Sequence, residues 1–374
     1  MEASDHVKVL HVISGLDLGG AERMLLWSAR YHDRRSFRLM VVSLMSSGPL
    51  ADPIRREGVQ VLELGQKRGR LSAAGFFGLL KIARGYAPHF IQGHLFHSNI
   101  LARIIALLIP GAMAISTRHN ERDSLARRFL YALTSPLNKA TIVFSPSVLR
   151  HARGDNMACR PIRLAPYGID PVQPSVKRGE TRDRLDIPQN VYVWITVGRL
   201  TRQKGFGVLI EAFQSLKAPE GSVPMLLIIG EGEEKPELEK RTAEAGLARH
   251  VRFLGNRSDV PELLAASDAF VLSSLWEGGP LVVLEAMAAG LPIAATRVGD
   301  VPGMVEEGRS GVIVEPGDAE ALTDAMTRIM DMGPEGRMMG EAGQKNVTER
   351  FLYSRTQGSV ENIYRELMGM RPGG

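Results

Sequence analysis

A single cysteine, Cys159, stands among 374 residues. One thiol excludes an intramolecular disulfide framework, no Cys and His spacing suits structural zinc, and a reducing cytoplasm is the expected setting. Long apolar runs are missing too. The longest, Ile104 to Ile115, is broken by Pro110 and Gly111 and falls well short of the roughly 20 residues a membrane-spanning helix needs. The strand-like run Val7 to Ile13 begins almost at once, without the basic and apolar pattern that directs secretion, so secretion is not expected. There is no Asp-x-Asp pair, the common carboxylate device for a Mg²⁺–diphosphate complex, so no metal ligands are expected and cationic side chains would have to neutralise any phosphate leaving group. Neither half opens with G-x-G-x-x-G, which disfavours a nicotinamide-dependent oxidoreductase.

What is present reads as a folded α/β protein. The 44% hydrophobic and 23% charged content is that of a globular chain, and the length favours two domains. Two series of short apolar strands alternate with helical segments, the pattern of parallel sheets with helices on both faces. The first comprises Val7 to Ile13, Leu39 to Leu44, Val59 to Leu64, Phe90 to Gln92, Ala114 to Ser116 and Thr141 to Ser145. The second comprises Tyr192 to Val197, Met225 to Ile229, Val251 to Leu254, Ala269 to Leu272, Ile293 to Ala295 and Val312 to Val314. Between them the proline-rich stretch from Asp170 reads as a linker. The expected layout is a first domain over residues 1–170, a linker over 171–190 and a second domain over 191–351. Two doubly wound domains in series would bind ligands beyond the C-terminal edges of their sheets, across a cleft.

Charge is divided unevenly. Residues 1–168 hold 23 Lys and Arg against 11 Asp and Glu, whereas the whole chain holds 46 against 41. A basic first half suits either an anionic partner, such as a membrane surface or a phosphorylated acceptor, or simple solvation of scattered arginines.

Residues capable of chemistry lie in the turns that follow strands. The turn Ser14 to Glu22, with Gly19 and Gly20, leads into a helix and would let backbone N–H groups approach a phosphate; a plain tight turn is the alternative. Arg199 and Lys204 follow the strand that ends at Val197, flanked by Gly198 and Gly205, where two cations could meet a diphosphate or only solvent. The richest passage runs from Leu275 to Gly290. Pro280 suits a first helical turn, leaving Gly278 and Gly279 just before a helix start with open N–H donors. From Leu281 to Ala295 the only polar side chain is Glu285, which predicts a buried helix carrying one carboxylate in a dry setting. It would bind either a ligand at a cleft wall or a neighbouring Arg. Glu277, eight positions earlier, could hold a ligand hydroxyl or merely favour the helix dipole. Eight of the nine histidines fall in the first half; His119 follows a strand, and His94 and His97 read as structural.

Together these features resemble glycosyltransferase family 4, a retaining family with the GT-B fold, over nearly the whole chain. They are Gly19-Gly20-Ala21-Glu22, His119, Val197-Gly198-Arg199 with Lys204-Gly205, Gly230-Glu231-Gly232, Phe253-Leu254-Gly255, and the E-x7-E pair Glu277 and Glu285. The resemblance implies that Arg199 and Lys204 bind the donor diphosphate and that Glu285 binds the ribose. It implies that Glu277, with backbone of Gly278, Gly279, Pro280 and Leu281, holds the transferred sugar, and that His119 lies near its anomeric centre. The Gly19-Gly20 loop would close over the phosphates, Gly255 would adjoin the base, and the last helix, 352–370, would pack back on the first domain. Where the family often has Asn-Gly-Ile/Val-Asp this chain has Tyr167-Gly168-Ile169-Asp170, and near Gly303 the family often has Glu.

The expected activity is transfer of a sugar from a UDP- or GDP-sugar to a saccharide or lipid-linked acceptor in cell-envelope polysaccharide synthesis. Anomeric configuration would be retained, with His119, Glu277, Arg199 and Lys204 at the reacting centre. No cofactor or metal is expected, and no nucleic-acid partner. The expected location is the cytoplasm, at the inner membrane face. An epimerase or hydrolase acting on nucleotide sugars, and a binder without catalysis, are the competing readings.

Overall fold

A computed structural model describes residues 6–46, 48–67, 72–119, 124–154, 161–216 and 224–370; Cys159 lies outside them. The chain divides into two compact units. Unit 1 is Met1–Tyr167 with Tyr353–Gly374, and unit 2 is Gly168–Leu352.

In unit 1 seven strands form one sheet: β1 (Val7–Ile13), β2 (Phe37–Ser43), β3 (Gln60–Glu63), β4 (Phe90–His94), β5 (Met113–Arg118), β6 (Asn138–Val143) and β7 (Ile162–Leu164). Their order across the sheet is β3-β2-β1-β4-β5-β6-β7, and every pairing is parallel. Sequence patterning locates six of the seven. The short β7 was not anticipated, because three half-buried residues at a sheet edge carry almost no apolar signal.

In unit 2 six strands form the second sheet: β8 (Val193–Val197), β9 (Met225–Ile229), β10 (Val251–Gly255), β11 (Ala269–Leu272), β12 (Ile293–Thr296) and β13 (Gly311–Val314). They are ordered β10-β9-β8-β11-β12-β13, again all parallel. That is the doubly wound order in which the chain builds outward from its first strand, returns, and builds the other way. Sheets covered on both faces need strands that are apolar throughout, as in Met225–Ile229, where all five residues are buried. Trp194, Leu226, Ile228, Val271 and Ala294 pack against Leu209, Phe213, Met326 and Ile329 of the helices outside them.

The stretch 171–190, expected as a linker, is instead part of unit 2. It contains the helix Arg178–Arg184, anchored by a fully buried Arg182. The Arg182 guanidinium donates to the carbonyls of Ala266, Gln189 and Val191 at 2.9, 3.0 and 2.9 Å and pairs with Asp268 at 2.7 Å. Proline content marks a break in regular structure but says nothing of whether one cation will staple the segment down.

The closing helical run is split. One helix, Pro334–Arg350, ends at Phe351, and a second, Tyr353–Leu367, belongs to unit 1. Tyr353 meets Ser28 through its hydroxyl at 2.7 Å and lies 5.3 Å from the Trp27 ring. The Glu361 carboxylate accepts from the Asp33 amide at 2.9 Å. Tyr364 stacks on Phe90 at 5.1 Å and donates its hydroxyl to Gln92. Among the described residues no helix is long and apolar enough to cross a membrane.

Arg182→Ala should strip those buried carbonyls of their donor and leave Asp268 to Arg178 and the Val193 amide, costing about 3–5 kcal/mol. Urea denaturation would measure it, and a change below about 1 kcal/mol would mean that the segment is not held by this contact.

Candidate active site

In unit 2 the winding reverses between β8 and β11, and ligands of doubly wound sheets bind beyond the strand ends at that reversal. The segments that follow those two strands carry Arg199, Lys204 and Glu277. After β8, Gly198 comes so close to Gly230 that a Cβ on Gly230 would sit 2.0 Å from the Gly198 carbonyl oxygen. A 3-10 turn at Arg202–Lys204 follows, closed by Gly205 at φ 62°. Gly205 is obligatory twice over: its φ is left-handed, and a Cβ would meet the Ser273 carbonyl at 2.2 Å.

This close approach stitches the two segments together. The Ser273 hydroxyl donates to the Lys204 carbonyl at 2.9 Å, and the Leu275 amide donates to the Gln203 carbonyl at 2.8 Å. Lys204 Nζ then reaches Glu277 Oε1 at 2.5 Å, and the two side chains are only 16% and 9% exposed. The Ser274 hydroxyl donates to the same carboxylate oxygen at 2.9 Å, and the Gln203 amide donates to the other at 3.3 Å. Beyond Glu277, the Gly278 carbonyl accepts from the Asp300 amide at 3.0 Å. Gly299, at φ 51°, packs so tightly that a Cβ would lie 2.4 Å from the Glu277 and Gly278 carbonyl oxygens.

The two carboxylates exchange the environments expected for them. Glu277 is the buried one, while Glu285 is half-buried. The helix Leu281–Ala288 buries Val283, Leu284, Ala286 and Met287, so Leu281, Val282, Glu285 and Ala288 form a less covered stripe at helical spacing. An all-apolar sequence conceals which side a helix leaves open. Pro280 is the residue that caps this helix, in extended conformation, and not its first turn. The leading amides, Leu281 and Val282, have no acceptor within the helix. Arg199 is exposed, and its guanidinium makes no ion pair among the described residues. Gly255, at φ 65°, ends β10, two strands away from β8, and its carbonyl accepts from the Gly230 amide at 2.8 Å.

The remaining candidates belong to unit 1. Gly19 caps the helix Gly20–Tyr31, and Glu22 folds back over it, such that a Cβ on Gly19 would lie 2.3 Å from Glu22 Oε2. That helix start therefore faces the chain's own carboxylate. At the winding reversal of unit 1, between β1 and β4, lies a buried histidine pair: His11 Nδ1 and His94 Nε2 are 3.0 Å apart. The Thr117 hydroxyl donates to the Gly93 carbonyl at 2.8 Å, so toward His94 Nδ1, 3.3 Å away, it can only accept. His94 thus carries its proton on Nδ1, and its bare Nε2 accepts from His11 Nδ1–H. β4 turns directly into the helix Leu95–Leu107 with Leu95 at φ 68°, a strained elbow that fixes His94.

His119 stacks on Phe144 at 5.4 Å and faces His94 with ring centres 6.5 Å apart. Burial pushes the His119 pKa down to about 4 and that of His11 to about 3; His94 is also pushed well down, by burial and then by its histidine neighbours. All three are neutral near pH 7. His97 is exposed, its ring edge-on to Phe96. Among the described residues no group of three or more His, Cys, Asp or Glu could hold a metal ion.

Residues 18–173 match the model of Glycosyltransferase Family 4, and residues 177–346 match that of Glycosyl transferases group 1. The chain belongs to glycosyltransferase family 4. It is 25% identical over 344 residues to the UDP-Gal:alpha-D-GlcNAc-diphosphoundecaprenol alpha-1,3-galactosyltransferase of Escherichia coli, covering 87% of this chain and 88% of that one. It is 31% identical over 191 residues to the lipopolysaccharide core biosynthesis glycosyltransferase LpsE of Rhizobium meliloti, covering 51% of this chain and 54% of LpsE. The match thus spans only about half the length of LpsE. Among solved structures, Anabaena Alr3699/HepE in complex with UDP and glucose has a TM-score of 0.83 at 20% identity over 96% of this chain and all of that one. WaaG, a glycosyltransferase involved in lipopolysaccharide biosynthesis, has a TM-score of 0.72 at 19% identity over 97% of this chain and all of that one. These likenesses establish the two-unit GT-B fold.

Several polar residues at these two winding reversals escape the sequence patterns described above. Ser273 and Ser274 signal themselves as the first polar residues after the apolar strand Ala269–Leu272, and Gln203 adjoins a flagged lysine. His11 signals itself as a polar residue within the apolar run of β1.

The histidines give stability a pH dependence of defined sign. Their folded pKa values lie below the ordinary 6.5, so as pH falls from about 6.5 the unfolded chain takes up protons that the folded chain refuses, and stability declines until pH reaches the lowered values. Urea midpoints between pH 6.5 and 5 should fall for the wild type and fall less for His119→Asn; identical slopes would mean that His119 ionises freely when folded.

Proposed function

We propose that this chain is a retaining glycosyltransferase that moves a sugar from a nucleoside diphosphate sugar, with UDP or GDP as carrier, to a saccharide or lipid-linked acceptor in cell-envelope polysaccharide synthesis. The observation that carries the reading is the Lys204–Glu277 pair at the winding reversal of unit 2, beside an exposed Arg199 and a helix start. HepE was solved with UDP and glucose, and the E. coli relative is named for a lipid diphosphate acceptor and a UDP-linked donor; both accord with this substrate class.

In this reading the donor diphosphate lies beyond β8, against Arg199 and Lys204. As the glycosyl–oxygen bond breaks, negative charge grows on the diphosphate. Cations facing the diphosphate stabilise that charge, and one already held in place does so without reorganising. Lys204 is already fixed by Glu277, while Arg199 is open to an incoming anion. Glu277 and the backbone of Gly278, Gly279, Pro280 and Leu281 receive the sugar hydroxyls, Glu285 on the less covered stripe receives the ribose, and Gly255 adjoins the base.

The acceptor hydroxyl attacks the anomeric carbon from the face that the diphosphate leaves, the departing oxygen takes the acceptor proton, and configuration is retained without a protein nucleophile. Neutral His119, together with the Gly19-Gly20 loop of unit 1, serves the sugar and phosphate side. Arg199, Lys204 and the helix start supply the charge neutralisation, and no metal enters the scheme.

Arg199→Ala and Lys204→Ala should each lower kcat by about 10²–10³-fold with unchanged circular dichroism. Donor screening by thermal stabilisation, followed by NMR of the product anomer, tests the rest. Undiminished transfer in both variants would remove the charge-stabilisation mechanism, and an inverted anomer would remove retention.

A further inference from the structure

The helix Leu125–Leu133 is turned inside out. At about 100° per residue, Leu125, Phe129, Leu133, Ala126 and Leu130 share one side, while Tyr131 points the opposite way with Arg127 and Arg128 on its flanks. An ordinary surface helix puts its apolar side against the protein. Here Tyr131 is the only residue of the helix that is buried. Its hydroxyl accepts from Asn99 at 3.1 Å, its ring meets Phe96 edge-on at 5.2 Å, and the Arg103 guanidinium lies 5.1 Å from its centre. Arg127 lies back across the Phe96 ring at 5.3 Å. The apolar side faces solvent: Leu125, Phe129, Leu130 and Leu133 are 76, 63, 39 and 66% exposed. Arg103 donates to the Tyr131 carbonyl and the Thr134 hydroxyl; Leu107 and Leu108, at the end of the Arg103 helix, are exposed as well.

A face of this composition is costly to leave in water, and its charge setting indicates what covers it. It stands on a half that holds 23 Lys and Arg against 11 Asp and Glu. A second copy docking through the same face would bring two basic units together. An anionic bilayer attracts the basic unit and accepts the leucines and phenylalanine below its headgroups, with the arginines in the polar zone above. We propose that the helix Leu125–Leu133 is an interfacial docking element that seats unit 1 on an anionic membrane surface. It begins six residues after His119, so a bilayer at this helix would deliver the hydroxyl of a lipid-linked acceptor close to that histidine; this last step rests on the function proposed above.

Cosedimentation of the full chain with phosphatidylglycerol-containing vesicles, and with phosphatidylcholine vesicles alone, tests the surface without any sugar substrate. Wild type should bind the anionic vesicles at low salt and lose much of that binding at high salt. The triple variant L125S/F129S/L133S should partition about tenfold or more less strongly, with unchanged melting temperature and unchanged stabilisation by a nucleotide sugar. Phe129→Trp should show a blue-shifted fluorescence difference on vesicle addition. Absence of vesicle binding, an unshifted Phe129→Trp, or a triple variant that binds like wild type would overturn the proposal. So would a wild-type dimer that the triple variant dissolves, which would assign the face to a second copy. Loss of nucleotide-sugar stabilisation in wild type would instead strike the function reading and leave the docking result standing.

Discussion

A parallel strand cannot be joined to its neighbour by a tight turn; the chain must cross over and start again from the same end. All thirteen strands of the described residues obey that constraint, so within each unit each of them finishes at the same edge of its sheet. The consequence is concentration: the segments free to carry function are gathered along one rim per unit, while the opposite rim receives the chain. Where the winding reverses, the segments from two adjacent strands diverge to opposite faces and leave a gap. In unit 2 that gap holds Lys204 and Glu277, and in unit 1 the equivalent place holds His11 and His94.

Glycine makes the gap usable. Gly205 and Gly299 take left-handed conformations and let backbone pass within carbonyl contact of a neighbouring segment, so the polar side chains rest on backbone that has no room to shift. Lys204 and Glu277 are therefore held by covalent geometry as much as by their mutual attraction. In an exposed setting such a pair is worth little; here Ser274 and Gln203 also donate to the carboxylate and leave part of its acceptor capacity open, and the ion pair becomes a preformed polar surface.

The sheets were legible because strands buried on both faces are apolar at every position, a signal that survives without alignment. β7 was not, being short and half-buried. The candidate residues were legible by type, since Arg199, Lys204 and Glu277 stand in the segments that follow strands and Glu285 in the helix beyond. Burial was not legible: Glu285 lies in an unbroken apolar sequence yet on the less covered side of its helix, while Glu277 lies in a glycine-rich loop yet is enclosed. Periodicity reports composition around a helix and not what packs against each side, which the Leu125–Leu133 helix shows from the other direction. The 171–190 stretch illustrates the same gap, because the enclosure of Arg182 depends on Ala266 and Asp268, some eighty residues away.

The last helix has a consequence for how the molecule comes into being. Tyr353 and Tyr364 complete the core of unit 1 against Trp27, Ser28, Phe90 and Gln92, yet they leave the ribosome only after the whole of unit 2. Unit 2 is a continuous stretch of chain and has all its parts as soon as residue 352 has emerged. Unit 1, begun first, is finished last. During synthesis its sheet must wait with two aromatic sockets unfilled until the chain has passed through unit 2.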